Sequence, residues 1–123
     1  MSSLETTMTL HGGCHCETVK IEFIAHGTIF SMPPRACDCS FCQKQGAAYL
    51  SDANGALAIV CNKPEDLVFY RQGSENARFL MCAHCGILVA VTFSRDAIVY
   101  GAVNALCLDT FAQFPAPEPS SPQ

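Results

Sequence analysis

"HGGCHCETVKIEF", residues 11–23, places two cysteines, Cys14 and Cys16, one residue apart at the mouth of an alternating run. Val19, Ile21 and Phe23 alternate with Lys20 and Glu22, the period of a strand with one face buried. Thiols this close together at the start of a strand need a reason. That reason depends on where the other cysteines fall.

Outward from this stretch the same strand chemistry recurs. Alternating or apolar runs predict strands at Ala56–Cys61, Leu67–Arg71, Arg78–Met81, Ile87–Phe93 and Ile98–Ala102. The breaks between them, "NKPED", "QGSEN" and "SRD", carry turn chemistry. No long stretch holds an apolar 3.6 period, and "LCLDTFAQF" is the one candidate for a short helix. The connections are short, so neighbouring strands are expected to run mostly antiparallel. The fold class is mainly β, in a single domain from Thr9 to Phe114. Residues 1–8 are expected to be a flexible N-terminus. "PAPEPSSPQ", residues 115–123, reads as a disordered Pro- and Ser-rich tail.

The chain has 123 residues, half of them apolar and 15% charged, which is enough to bury a core without cross-links. Its formal charge is −4 with only seven Lys and Arg, which counts against a nucleic-acid backbone binder. No apolar run approaches the ~20 residues of a membrane span, so no membrane role is expected. "MSSLETTMTL" lacks the basic and apolar regions of a secretion signal, which points to the cytoplasm.

Nine cysteines is a high and odd count. In a reducing compartment clustered thiols point to metal ligation over disulfides. They form three groups: Cys14 and Cys16; Cys37, Cys39 and Cys42 in "CDCSFC"; and Cys82 and Cys85 in "CAHCG". The last is a knuckle, in which two thiolates grip one metal while Gly86 lets the backbone turn around them. A closed zinc site needs four ligands, so a second pair must come from far along the chain, and Cys14 with Cys16 is the natural one. The middle triplet would then hold zinc with one position open, the pattern of a reactive site. Counting alone leaves the partition open, since the triplet could borrow a ligand from another group. A redox Cys-x-x-Cys lacks its βαβ context, and the spacings do not match ferredoxin clusters. Cys61 and Cys107 read as small buried hydrophobes. His11, His15, His26 and His84 share no ligand spacing.

"GGCHCETVKIEF", "CDCSFCQKQGAA" and "RFLMCAHCG", in this order, resemble the family of glutathione-dependent formaldehyde-activating enzymes, which includes centromere protein V. The resemblance implies a β-tent fold. It implies a structural zinc on Cys14, Cys16, Cys82 and Cys85, and a catalytic zinc on Cys37, Cys39 and Cys42, two per chain. It also implies a carbon–sulfur lyase that adds glutathione to formaldehyde, giving S-hydroxymethylglutathione. Glu17 stands where a glycine is common, and Met81 where an aromatic is.

Three thiolates make zinc a weak activator of water but suit it to a soft fourth ligand, a substrate thiol such as glutathione. Lys44 and Arg35 flank the triplet as candidate partners for the carboxylates of such a substrate. The small residues of "GAAY", with Tyr49, are candidates to line the pocket. The alternative is a non-enzymatic zinc-binding module that holds a protein or small-thiol partner.

Overall fold

The computed structural model describes residues 7–37, 39–52, 54–71, 77–95 and 98–120. The chain is mainly β, as expected. Its strands are β1 (Thr7–Gly13), β2 (Lys20–His26), β3 (Arg35–Cys37), β4 (Ala48–Leu50), β5 (Ala56–Val60), β6 (Leu67–Tyr70), β7 (Ala77–Cys82), β8 (Leu88–Arg95), β9 (Ile98–Asn104) and β10 (Glu118–Ser120). One short helix, α1 (Ser40–Gln45), lies between β3 and β4.

The strands form two sheets. A three-stranded sheet has the order β1-β2-β5, and a seven-stranded sheet the order β10-β3-β4-β9-β8-β7-β6. Among the described residues every strand pairing is antiparallel except that of β10 with β3. The alternation read at the start is real: Ile21, Phe23 and Ala25 are buried, while Lys20 is exposed. These residues meet Leu50, Leu80, Ala90 and Val103 of the larger sheet in one apolar core. Burying a side chain such as Phe23 stabilises by roughly 1.5–3 kcal/mol, so this interface supplies much of the drive to fold. Among the described residues, no helix is long and apolar enough to cross a membrane.

Three expectations need correction. The flexible N-terminus expected over residues 1–8 is corrected at Thr7 and Met8, which open β1 and pair with His26 and Ala25, while residues 1–6 lie outside the described residues. The alternation of Met8 and Leu10 with Thr7 and Thr9 already carried that strand, and Leu10 is buried. The tail is not wholly unstructured, since Glu118–Ser120 runs parallel to Arg35–Cys37 and the Glu118 N–H donates to the Pro34 carbonyl at 2.8 Å. Pro119 is tolerated there because β10 is an edge strand. Finally, "LCLDTFAQF" forms two separate 3-10 turns, Ala105–Cys107 and Phe111–Gln113, where one helix was expected. Leu108 between them makes an isolated bridge to Gly12 instead of continuing a helix. Gly12 is required at this crossing, because a Cβ there would overlap the Cys107 carbonyl oxygen.

Candidate metal centres

The four sulfurs of Cys14, Cys16, Cys82 and Cys85 lie within 4.8 Å of one another. The first two sit in the loop from β1 to β2. The other two sit at the end of β7 and in the turn to β8. The cluster therefore joins one sheet to the other. The Cys14 and Cys16 sulfurs are 3.7 Å apart and those of Cys16 and Cys82 are 3.6 Å apart. Four sulfurs at ~2.3 Å from a tetrahedral zinc stand roughly 3.8 Å apart, so this donor set fits that ion.

Backbone N–H groups are aimed at these sulfurs. Val19 donates to Cys14 at 3.3 Å, and His84 and Cys85 donate to Cys82 at 3.3 and 3.4 Å. Gly86 takes φ +80°, which lets its own N–H reach the Cys82 carbonyl at 2.9 Å. Buried Asp66 braces the knuckle from behind. Its carboxylate meets His84 Nε2 at 2.8 Å and accepts the Lys63 N–H at 3.0 Å, while its carbonyl accepts the Ala83 N–H at 2.8 Å. The His84 bond, then the Lys63 N–H, hold the Asp66 carboxyl below the usual carboxylate range.

Burial pushes Cys14 up to about 11, despite the bond from Val19. Burial also opposes ionisation of Cys85, but hydrogen bonds from the Cys16 and Ile87 backbone, and from Cys82 and Cys14, bring it down to about 6. A divalent cation would let all four become thiolates.

The loop holding Cys14 and Cys16 carries backbone strain. Glu17 sits at φ +69°, the left-handed region, which explains why a glycine suits this position. Its ion pair with Lys20, 3.8 Å long and largely exposed, contributes little. Relieving ~1–2 kcal/mol of strain, less ~0.5–1 kcal/mol for the freedom glycine adds to the unfolded chain, leaves a net gain. Glu17→Gly is therefore expected to stabilise the protein by about 0.5–1 kcal/mol. Urea midpoints at equal metal content check this, and a lowered midpoint would contradict it.

The second group is Cys37, Cys39 and Cys42, whose sulfurs also lie within 4.8 Å of one another. Cys37 ends β3, Cys39 caps α1, and Cys42 lies inside it. The Cys39 sulfur accepts the Cys42 N–H at 3.4 Å, and Gly46 closes the helix at φ +68°. Cys42 is only 1% exposed, and the Tyr49 hydroxyl lies 3.1 Å from its sulfur. Burial pushes the Cys42 thiol up to about 12, with the Tyr49 bond opposing, and burial likewise raises Tyr49 above the ordinary phenol range. The triplet belongs to a separate apolar cluster with Ala47, Phe79 and Leu88.

The structure thus brings together the two cysteine groups that the spacing suggested, four and three, with no residue shared. Cys61 and Cys107 stand outside both. Each is half-buried against the core, and their sulfurs donate to the Lys63 and Leu88 carbonyls at 3.2 Å. His26 and His84 are hydrogen-bonded to Asp52 and Asp66, while His15 is exposed. Arg35 and Lys44 are both exposed, but differ in placement. Arg35 is directly opposite Tyr49 in the β3–β4 register, so the two side chains share a face. Lys44 is two residues beyond Cys42 on a helix and points to the other side.

An aromatic group beside the triplet was not anticipated. Phe41 stacks on Tyr70 at 4.9 Å and packs on Phe79 at 4.5 Å. These rings come from α1, β6 and β7, and no local sequence pattern links them.

Residues 9–121 match the family model described as glutathione-dependent formaldehyde-activating enzyme. The crystal structure of a Rhodobacter sphaeroides protein superposes with a TM-score of 0.68 at 29% identity, covering 89% of this chain and 99% of that one. No curated protein sequence matches the chain.

Proposed function

The chain belongs to the glutathione-dependent formaldehyde-activating enzyme family, and from that premise we propose that it is a zinc-dependent carbon–sulfur lyase. In the proposed reaction the sulfur of glutathione bonds to the carbon of formaldehyde as the carbonyl π bond breaks. The thiol proton ends on the carbonyl oxygen, giving S-hydroxymethylglutathione, and the reverse reaction returns both reactants. No oxidant or reductant is needed.

The observation that carries this reading is the triplet: three thiols within 4.8 Å of one another, placed apart from a complete four-thiol cluster. Cys14, Cys16, Cys82 and Cys85 would hold a structural zinc, and Cys37, Cys39 and Cys42 a second. When bound at the triplet, zinc supplies a soft open position that favours a thiol over water and promotes its ionisation. The chain's own residues would supply the rest. α1, its cap and β3 carry the three cysteines, and Arg35, opposite Tyr49 in the β3–β4 register, would meet a substrate carboxylate. Holding thiol and aldehyde side by side removes much of the entropic barrier to addition. A reducing cytoplasm, in which thiols persist as ligands, suits this chemistry.

Cobalt exchanged into the protein makes the test visible. Millimolar glutathione is expected to shift the thiolate-to-metal absorption of the triplet, and an analogue with serine in place of its cysteine is expected to leave it unchanged. An unchanged spectrum with glutathione itself would remove the thiol-substrate reading.

A further inference from the structure

We infer that Tyr49 is a positioning residue of the triplet, its phenol O–H donating to the Cys42 sulfur and fixing that ligand for the metal. The inference rests on the triplet being a metal site, and not on which thiol it takes as substrate.

The geometry supports it from both sides of the 3.1 Å contact. Tyr49 is on β4, an interior strand of the larger sheet. β4 is paired on both edges, with Arg35 opposite Tyr49 on one side and Asn104 on the other. Asn104 is itself buried, and its amide donates to the Leu88 carbonyl at 2.8 Å. Cys42, in contrast, is on a helix of six residues, too short to hold a side chain rigidly by itself. Tyr49 therefore ties a ligand on a short helix to an interior strand of the larger sheet.

The direction of the hydrogen bond follows from ligand chemistry. A cysteine bound to a metal is a thiolate, which can only accept, so the hydroxyl donates. Such a bond is charge-assisted and draws electron density from the sulfur. Partners of this kind behind a ligand commonly govern metal affinity by about 10–100-fold.

The test is Tyr49→Phe, which keeps the ring and removes only the hydroxyl. Zinc affinity is measured by competition with a chromophoric chelator, and the cobalt spectrum is recorded beside thermal unfolding. Zinc at the triplet is expected to bind about tenfold or more weakly, with the four-cysteine site and the melting temperature nearly unchanged. The cobalt charge-transfer band is expected to move to lower energy, because the Cys42 sulfur regains charge. Tyr70→Phe, which strips a hydroxyl from the neighbouring aromatic group, serves as the control and should change neither quantity. Wild-type affinity and spectrum in Tyr49→Phe would overturn the inference. So would an equal loss at both sites, which would mark general destabilisation. A wild-type triplet that takes up no metal overturns both this inference and the proposed function. If Tyr49→Phe weakens the triplet while glutathione has no effect on wild type, the positioning role stands and only the substrate reading fails.

Discussion

Cys85→Ser is expected to remove most of the stability of the fold. Cys85 is only half-buried, so serine there disturbs packing little and the variant isolates the loss of a ligand. The four-cysteine cluster joins the β1–β2 loop to the β7–β8 turn, with Cys16 and Cys82 lying 66 residues apart in the chain. Cross-linking a loop of that length restricts the unfolded chain by about 4 kcal/mol on the loop-closure scaling. Structural zinc also contributes its binding free energy directly to folding. Set against a total of roughly 5–15 kcal/mol for a domain, a loss of this size is close to unfolding. The melting temperature should fall by roughly 15–25 °C, or the variant should be insoluble. Thermal unfolding with parallel metal analysis measures this. A melting temperature within a few degrees of wild type, with one metal lost, would mean that the cluster does not clip the sheets together.

The sequence carried these cysteine groups more clearly than it carried the strands. Cysteine spacing survives folding as information because each pair or triplet is local, and only the pairing of Cys14 and Cys16 with Cys82 and Cys85 needed a long-range step. The strands around Phe23, Leu57, Phe79, Val91 and Ala102 were legible because each is long enough for its period or apolar content to stand out. β3, β4 and β10 have three residues each and cannot show a period at all. α1 has six, under two turns, and only its ends mark it: a cysteine side chain capping the start and Gly46 closing the end. The contact between Tyr49 and Cys42 crosses from strand to helix and left no trace in spacing beyond the proximity of the two residues. The Phe41, Tyr70 and Phe79 group is wholly tertiary. What the chain hides is thus what depends on register, and the side chains that hold the triplet in place belong to that part.

Cys42→Ser is expected to abolish the proposed thiol chemistry while leaving the protein folded. The triplet spans Cys37 to Cys42, a segment so short that bridging it restricts the unfolded chain far less than the four-cysteine cluster does. Its elements remain paired by backbone alone, β3 to both β4 and β10. The cost comes from putting a hydroxyl into an apolar cluster where Cys42 is 1% exposed. Tyr49 can still hydrogen-bond that hydroxyl, which holds the penalty to about 1–2 kcal/mol, a fall of roughly 5–10 °C in melting temperature. Function should respond far more. Losing a partner behind a ligand costs about 10–100-fold, so losing the ligand itself should cost at least about 100-fold in metal affinity at the triplet and in S-hydroxymethylglutathione formation. Metal content should fall to that of the four-cysteine site alone. The comparison of the two serine variants decides the partition: if Cys42→Ser unfolds the chain and Cys85→Ser leaves it intact but inactive, the structural and reactive roles assigned to the two clusters are reversed.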